Sequence, residues 1–208
     1  TQKGKVFWMR VYEIPEGGKN SKGRAMQNLI NIEQDDKVKA FLVTQDLKDQ
    51  DYINSHYVIM ATKKGQVKKT SLEQYSRPRT NGINAITIKE GDELLEAKLT
   101  TGDSQVMLAL ASGKSIRFEE AKTRPMGRTA SGVRGITLQH ENDEVIGMVA
   151  VNDMESNILV VSEKGYGKRS SLEDYRITNR GGKGVKTLNI SEKTGNLVAI
   201  KNVDDSND

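Results

Sequence analysis

Apolar and polar positions along the chain follow a short-strand rhythm. The segments VIMATKKGQVKKT, VMLALASGKSIRF and ILVVSEKGYGKRS each read as two strands joined by a polar turn that carries glycine. The turns are Gln2-Lys3-Gly4, Lys63-Lys64-Gly65, Ala111-Ser112-Gly113 and Glu163-Lys164-Gly165, with successive glycines 61, 48 and 52 residues apart. A second glycine follows at Gly23, Gly82, Gly132 and Gly184, trailing the first by 19, 17, 19 and 19 residues. Each second glycine opens a predicted third strand, AMQNLINI, INAITI, VRGITL or VKTLNI. A polar turn then leads to a fourth: KVKAFLV from Lys37, ELLEAKL from Glu93, EVIGMVA from Glu144 and NLVAIKN from Asn196. SLEQY (Ser71 to Tyr75) and SLEDY (Ser171 to Tyr175) are short and polar with Leu and Tyr anchors, which predicts one helical or 3-10 turn each. No long amphipathic helix is visible.

Four strands per unit of about 50 residues, repeated four times, predict an all-β, propeller-like array. One blade cannot bury both of its faces alone, so neighbours must stack. The expected organisation is a single domain over residues 1–208. Its repeats fall at approximately 1–56, 57–104, 105–157 and 158–203, with an acidic tail at 204–208. The pattern leaves open whether the blades close into a ring, lie in an arc or spiral. A composition of 35% hydrophobic and 5% aromatic residues suits several small sheets better than one large core.

Charge changes this picture. The chain carries +4 overall. Between the first and second glycine of the four units, however, there are 18 cations against 7 acids, so the remainder of the chain is acidic by −7. One equivalent arm of every blade is therefore basic. The fourth residue after the first glycine is Trp8, Lys69, Arg117 and Arg169, and cations near the second glycine are Lys22, Arg79, Arg128 and Lys183. Aligned by blade stacking, these arms predict a basic stripe suited to a nucleic-acid backbone, where Lys and Arg gain affinity by counterion release without reading sequence. A curved stripe would bend duplex DNA at a cost of about 1–6 kcal/mol for 40–90°, which several phosphate contacts must offset. Tyr166 is the main exposed-looking aromatic in the arms, while Tyr75 and Tyr175 read as blade packing, so a single-strand stacking platform is disfavoured.

Other chemistries find little support. The absence of cysteine excludes disulfides and thiolate metal sites. His56 and His140 have no ligand spacing around them, and there is no Ser-His-Asp set in motif context, which argues against a propeller hydrolase. No apolar run approaches the ~20 residues of a membrane span, and TQKGKVFWMR lacks the apolar core of a signal peptide. The expectation is a soluble, cytoplasmic, nucleoid-associated protein with no catalytic residue, no metal, no cofactor and no membrane partner. The loop Asn179-Arg180-Gly181-Gly182-Lys183-Gly184 resembles a phosphate cradle, but it runs into Val185-Lys186-Thr187-Leu188-Asn189-Ile190, which reads as a strand and not as the helix a nucleotide P-loop needs. It is the fourth copy of a loop whose earlier versions end at Gly23, Gly82 and Gly132. The glycine is a backbone device, for positive φ or a bulge at a strand start.

Together GKVFWMRVYEIPE, QVKKTSLEQYSRPRTNG, RPMGRTASGVRGI and GYGKRSSLEDY resemble the C-terminal domain of the DNA gyrase A subunit, part of a bacterial type IIA topoisomerase, over about residues 1–203. The resemblance implies a β-pinwheel, with strands exchanged between blades and a basic outer edge that wraps duplex DNA in support of negative supercoiling. Cleavage and ATP hydrolysis would lie elsewhere, in the rest of the gyrase A subunit and in the gyrase B subunit. The family's wrapping box reads Gln-Arg-Arg-Gly-Gly-Lys-Gly. Arg180 to Gly184 match its last five residues, Thr178 and Asn179 replace its first two, and the copy lies in the fourth repeat. A true box is expected upstream of Thr1, so the chain reads as a fragment lacking most of a first blade. Carried over by position, Arg77, Arg79, Arg124, Arg128, Arg134, Lys168, Arg169, Arg180 and Lys183 are the expected phosphate contacts, followed by Lys68, Lys69, Lys22 and Arg24. The related domain of the topoisomerase IV A subunit and a protein-binding propeller scaffold remain as alternatives.

Overall fold

The computed structural model describes residues 1–206. Its strands recur in the predicted order. The first unit holds β1 (Lys5–Val6). The second holds β2 (Tyr57–Thr62), β3 (Gln66–Ser71), β4 (Ile83–Asn84) and β5 (Leu94–Thr100). The third holds β6 (Gln105–Leu110), β7 (Lys114–Glu119), β8 (Val133–Arg134) and β9 (Val145–Val151). The fourth holds β10 (Asn157–Ser162), β11 (Gly167–Ser171), β12 (Val185–Lys186) and β13 (Leu197–Val203).

Sheet order shows how units join: β1-β4, then β5-β2-β3-β8, then β9-β6-β7-β12, then β13-β10-β11. The short third strand of units two, three and four thus leaves its own sheet and pairs antiparallel with the second strand of the unit before it. This exchange gives an all-β pinwheel. No strand ladder among the described residues links the fourth unit back to the first.

The middle strands are apolar on both faces because both are covered. Val58 and Met60 of β2 pack toward the first unit with Ile53, Leu72 and Tyr75, whereas Ile59 and Ala61 pack toward the third with Leu108, Phe118 and Ile136. Met107 and Ala109 of β6 repeat the arrangement against Ile158, Val160 and Ile200 in the fourth unit. Each such fully buried aliphatic or aromatic side chain contributes about 1.5–3 kcal/mol. Much of the acidity outside the arms sits at turns. The Oδ1 atoms of Asp36, Asp92 and Asp143 each accept two backbone N–H groups, tying a hairpin turn to the start of the fourth segment of the same unit.

The predicted 3-10 turns form at Leu72–Tyr75 and Leu172–Asp174, and the Ser71 and Ser171 hydroxyls accept from the N–H groups of Glu73 and Glu173. Three elements differ from expectation. The exchanged strands are only two residues long, because just those residues meet the neighbouring edge. In the first unit AMQNLINI makes a 3-10 turn at Met26–Asn28, and KVKAFLV carries no ladder, leaving Phe41 and Val43 at 74% and 86% exposure. Neither segment joins a strand ladder among the described residues. A six-residue helix α1 (Gln50–Ser55), capped by the Asp49 carboxylate, is not apparent from periodicity because it spans under two turns.

Candidate nucleic-acid interface

The exchange joints position the basic loops. Each loop runs from the 3-10 turn to the second glycine and crosses to the preceding unit. At the joint of units two and three, Arg77, Arg79 and Arg128 line one groove of about 200 Å³ together with Glu73, Gln74 and Ile83. Arg77 and Arg79 are exposed and Arg128 is half-buried. Two loops from different units therefore bring three arginines to one concavity. Arg124 is exposed on the same loop as Arg128.

The next joint has a comparable cluster. Arg180 donates through Nε to the Lys122 carbonyl at 3.0 Å and through Nη1 to the Arg134 carbonyl at 3.1 Å. These bonds hold it beside the exposed side chains of Lys122, Arg134 and Lys183. Lys122 and Arg176 are exposed cations of these loops that the motif reading missed. Lys122 takes the place of Gln74 in the earlier copy, so only its proximity to Arg180 reveals it. The glycines between Arg180 and Lys183 serve the joint. Gly181 N–H donates to the Gly135 carbonyl, and the Gly181 and Gly182 carbonyls accept from Thr137. At Gly184 φ is +73°, and an added Cβ would lie 2.5 Å from the Ser115 carbonyl oxygen, so close crossing demands glycine there.

Two expected contacts are corrected. Lys68 is 0% exposed, and its Nζ donates to the carbonyls of Ala85 and Arg128, both at 2.5 Å. Burial, then the nearby Arg128 charge, lowers its pKa to about 8. Lys69 is also buried. It pairs with Glu120 at 2.9 Å, donates to the Gly102 carbonyl and lies 4.3 Å from the Tyr57 ring centroid. Neither ammonium is exposed on the surface a phosphate could approach. The recurring position that includes Lys69 is a clamp on the next unit. Trp8 Nε1 donates to the Tyr75 carbonyl at 3.0 Å, and Arg117 Nη1 donates to the carbonyls of Leu172 and Tyr175 at 2.7 and 2.9 Å. Strict recurrence here reflects blade stacking.

Lys168 and Arg169 occupy the same places in the fourth unit but are exposed, and Arg169 pairs with Asp205 of the acidic segment. The expected tail at 204–208 also includes Asn207 and Asp208, which lie outside the described residues. Lys22 and Arg24 are exposed on the first-unit loop. Among the described residues no group of His, Asp and Glu is arranged to hold a metal ion, and no helix is long and apolar enough to cross a membrane.

Strand exchange between consecutive units, with cationic loops crossing each joint, defines a β-pinwheel whose joint loops are basic. The family model described as "DNA gyrase C-terminal domain, beta-propeller" matches residues 1–45, 56–101, 107–152 and 156–204, and the chain belongs to that family. The DNA gyrase A subunit of Staphylococcus epidermidis is 44% identical over 204 residues, 98% of this chain and 22% of that protein. Its counterpart in Staphylococcus aureus (strain NCTC 8325 / PS 47) is 43% identical over the same length and shares. The chain thus spans about a fifth of the length of these relatives. Among solved structures, the C-terminal domain of DNA topoisomerase IV matches with a TM-score of 0.86 at 24% identity, covering 99% of this chain and 62% of that one. A DNA gyrase A C-terminal domain matches with a TM-score of 0.79 at 23% identity, covering 98% and 64%. At such identities these two likenesses speak for the fold alone.

Proposed function

We propose that this chain is a non-catalytic module of a DNA gyrase A subunit that binds and bends duplex DNA along the outer loops of its pinwheel. The observation that carries this reading is the convergence of Arg77, Arg79 and Arg128 from two units on one exposed groove. The Arg180, Arg134 and Lys122 cluster follows at the next joint. Guanidinium groups at successive joints can engage phosphates along a duplex, and the sequence-independent backbone supplies the partner. Arg124 and Lys183 extend these clusters, and Lys22, Arg24, Lys168 and Arg169 lie toward the two ends of the array. Within a full enzyme, alongside the rest of the gyrase A subunit and the gyrase B subunit, such bending would present a DNA segment for strand passage and support negative supercoiling. Cleavage and ATP hydrolysis are assigned to those other parts, and this module needs no cofactor.

Fluorescence anisotropy with a duplex of roughly 40 bp across a salt series tests the reading. With about six phosphates engaged, log K should fall against log[salt] with a slope of about −5, without sequence preference. Binding that is absent at low salt, or insensitive to salt, would refute it.

A further inference from the structure

The three joints inside the chain differ in the residue that lies under the crossing loop. Phe7, Lys68 and Ile116 each stand three places after the first glycine of their unit. The second glycine of the following unit comes close to each. A Cβ added at Gly82 would lie 2.7 Å from the Phe7 ring, one at Gly132 would lie 3.2 Å from Lys68 Cβ, and one at Gly184 would lie 3.4 Å from the Ile116 nitrogen. Two joints thus close over an apolar residue and the middle one over a lysine that is 0% exposed. Burying an ammonium costs far more than burying an aliphatic or aromatic group, so this lysine is not there to close the joint.

Lys68 holds the loop that carries Arg128. Its Nζ donates to the Arg128 carbonyl of unit three and to the Ala85 carbonyl of unit two. The same loop is fastened on both sides of Arg128. Met126 N–H donates to the Lys69 carbonyl at 2.8 Å, Thr87 Oγ1 donates to the Thr129 carbonyl at 2.6 Å, and Thr87 N–H donates to the Ala130 carbonyl at 3.2 Å. From this fixed backbone Arg128 lines the groove together with Arg77 and Arg79. Arg180, the equivalent residue at the next joint, is held instead through its own guanidinium, and Ile116 takes the place of Lys68 below it.

The charges around Lys68 are few. Arg128 faces it from the unit-three loop. Tyr75 faces it from the 3-10 turn, with its hydroxyl on the Ala85 carbonyl at 2.9 Å and its pKa pushed up to about 12, so it stays neutral below pH 10. The neighbouring strands bring no charge to this place: β2 sets Met60 opposite Lys68, and β8 pairs Val133 with the adjacent Val67. No carboxylate among the described residues forms an ion pair with it. The ammonium is therefore buried beside a like charge, with its nearest route to an anion through the Arg128 loop and the groove.

Resting on the DNA reading above, we propose that Lys68 is a positioning residue of the groove: it fixes the Arg128 loop and places beneath it a positive charge that a bound phosphate stabilises, so that duplex binding takes up a proton at Lys68. Lys68 touches no phosphate. It acts through the Arg128 backbone and through the protein interior, where charges are screened less than in water. A phosphate against Arg77, Arg79 and Arg128 offsets the like charge that disfavours the ammonium and adds an opposite one, and both raise the Lys68 pKa in the complex above its free value of about 8. Affinity is then highest where Lys68 is protonated with and without DNA, and it falls as pH rises through the free value toward the bound one.

Anisotropy titrations of a duplex at fixed salt between pH 7 and 9.5, with proton uptake on binding read in weakly buffered solution, test this. For a rise of about one pKa unit, affinity of the native chain should fall about sevenfold over that range, and about half a proton should be taken up per bound chain at pH 8.5. Lysines that meet phosphate from solvent stay charged over the range and contribute little slope. Lys68→Met puts an apolar group where the other joints carry Phe7 and Ile116. Its affinity should be about fivefold or more below native at pH 7, vary little with pH, and approach the native value at pH 9.5, with the uptake lost. A purely structural lysine would lower affinity equally at every pH. Equal pH slopes in the native and Lys68→Met chains would overturn the proposal and leave the DNA reading standing. A native chain that binds with no uptake at pH 8.5 would do the same, whether or not the variant folds. A native chain that does not bind the duplex at pH 7 would overturn the DNA reading and this proposal with it.

Discussion

Lys69 and Arg117 stand at the same place in successive units, and neither side chain is free to meet a ligand. The Lys69 ammonium neutralises Glu120, whose carboxylate also accepts from Thr100 Oγ1 and Ser104 N–H with no exposure to water. Removing one partner of such a pair leaves the other charge buried. Lys69→Ala should therefore lose about 3–5 kcal/mol of stability, read as a lower urea midpoint, while the folded variant keeps its DNA affinity. Lys68 makes a different prediction. Its folded-state pKa of about 8 lies below the ordinary lysine value of 10.5, so between those pH values the unfolded chain binds more protons than the folded one. Stability contributed by this group should rise across that window, by on the order of 3 kcal/mol, and reach its full value above it. Arg128 faces Lys68, and the Tyr75 hydroxyl, pushed up to about 12 mainly by burial, shares the Ala85 carbonyl with it. Denaturant unfolding at pH 7.5 and 9.5 should show the rise in the native chain and lose it in Lys68→Met.

At the level of elements, the exchanged strand is short and depends on its glycine. Gly132 and Gly23 have φ of +88° and +69°, so alanine is conformationally unfavourable at both, by about 1–2 kcal/mol. Only Gly132 has a neighbour in the way, the Val67 carbonyl oxygen 2.5 Å from an added Cβ. Gly132→Ala should accordingly cost about 3 kcal/mol or more and Gly23→Ala about 1. Equal urea midpoints for the two variants would show that the joint tolerates a side chain. The hairpins are legible in the sequence because a two-residue period, interrupted by glycine, leaves few alternatives. The first unit departs from its pattern because its third and fourth segments carry strand-like residues that meet no free edge among the described residues. Residue pattern expresses a preference for extended backbone, but a ladder also needs a partner.

Across the whole molecule the charge segregation divides into two roles. Asp36, Asp92 and Asp143 stabilise turns, and part of the cationic excess stabilises joints, which leaves the loops at the joints as the exposed cationic surface. Charge reversal at Arg77 and Arg79 should lower duplex affinity by at least about tenfold and make the salt slope shallower by about 1–2, with little change in unfolding midpoint. Unchanged affinity in a folded Arg77→Glu/Arg79→Glu variant would remove this groove from the interface.

The repeat, the strand order within a unit and the basic character of one arm could all be read in the order of residues, since each rests on local period and composition. The exchange partner of each third strand, and the division of equally spaced cations into clamps and exposed groups, belonged to the tertiary structure. Lys68 and Lys168 illustrate the reason. They stand at equivalent places on equivalent strands, yet the third unit covers the first and no unit among the described residues covers the second. Burial depends on which neighbour arrives across the joint, and that neighbour's position is set by long-range packing which no local pattern encodes.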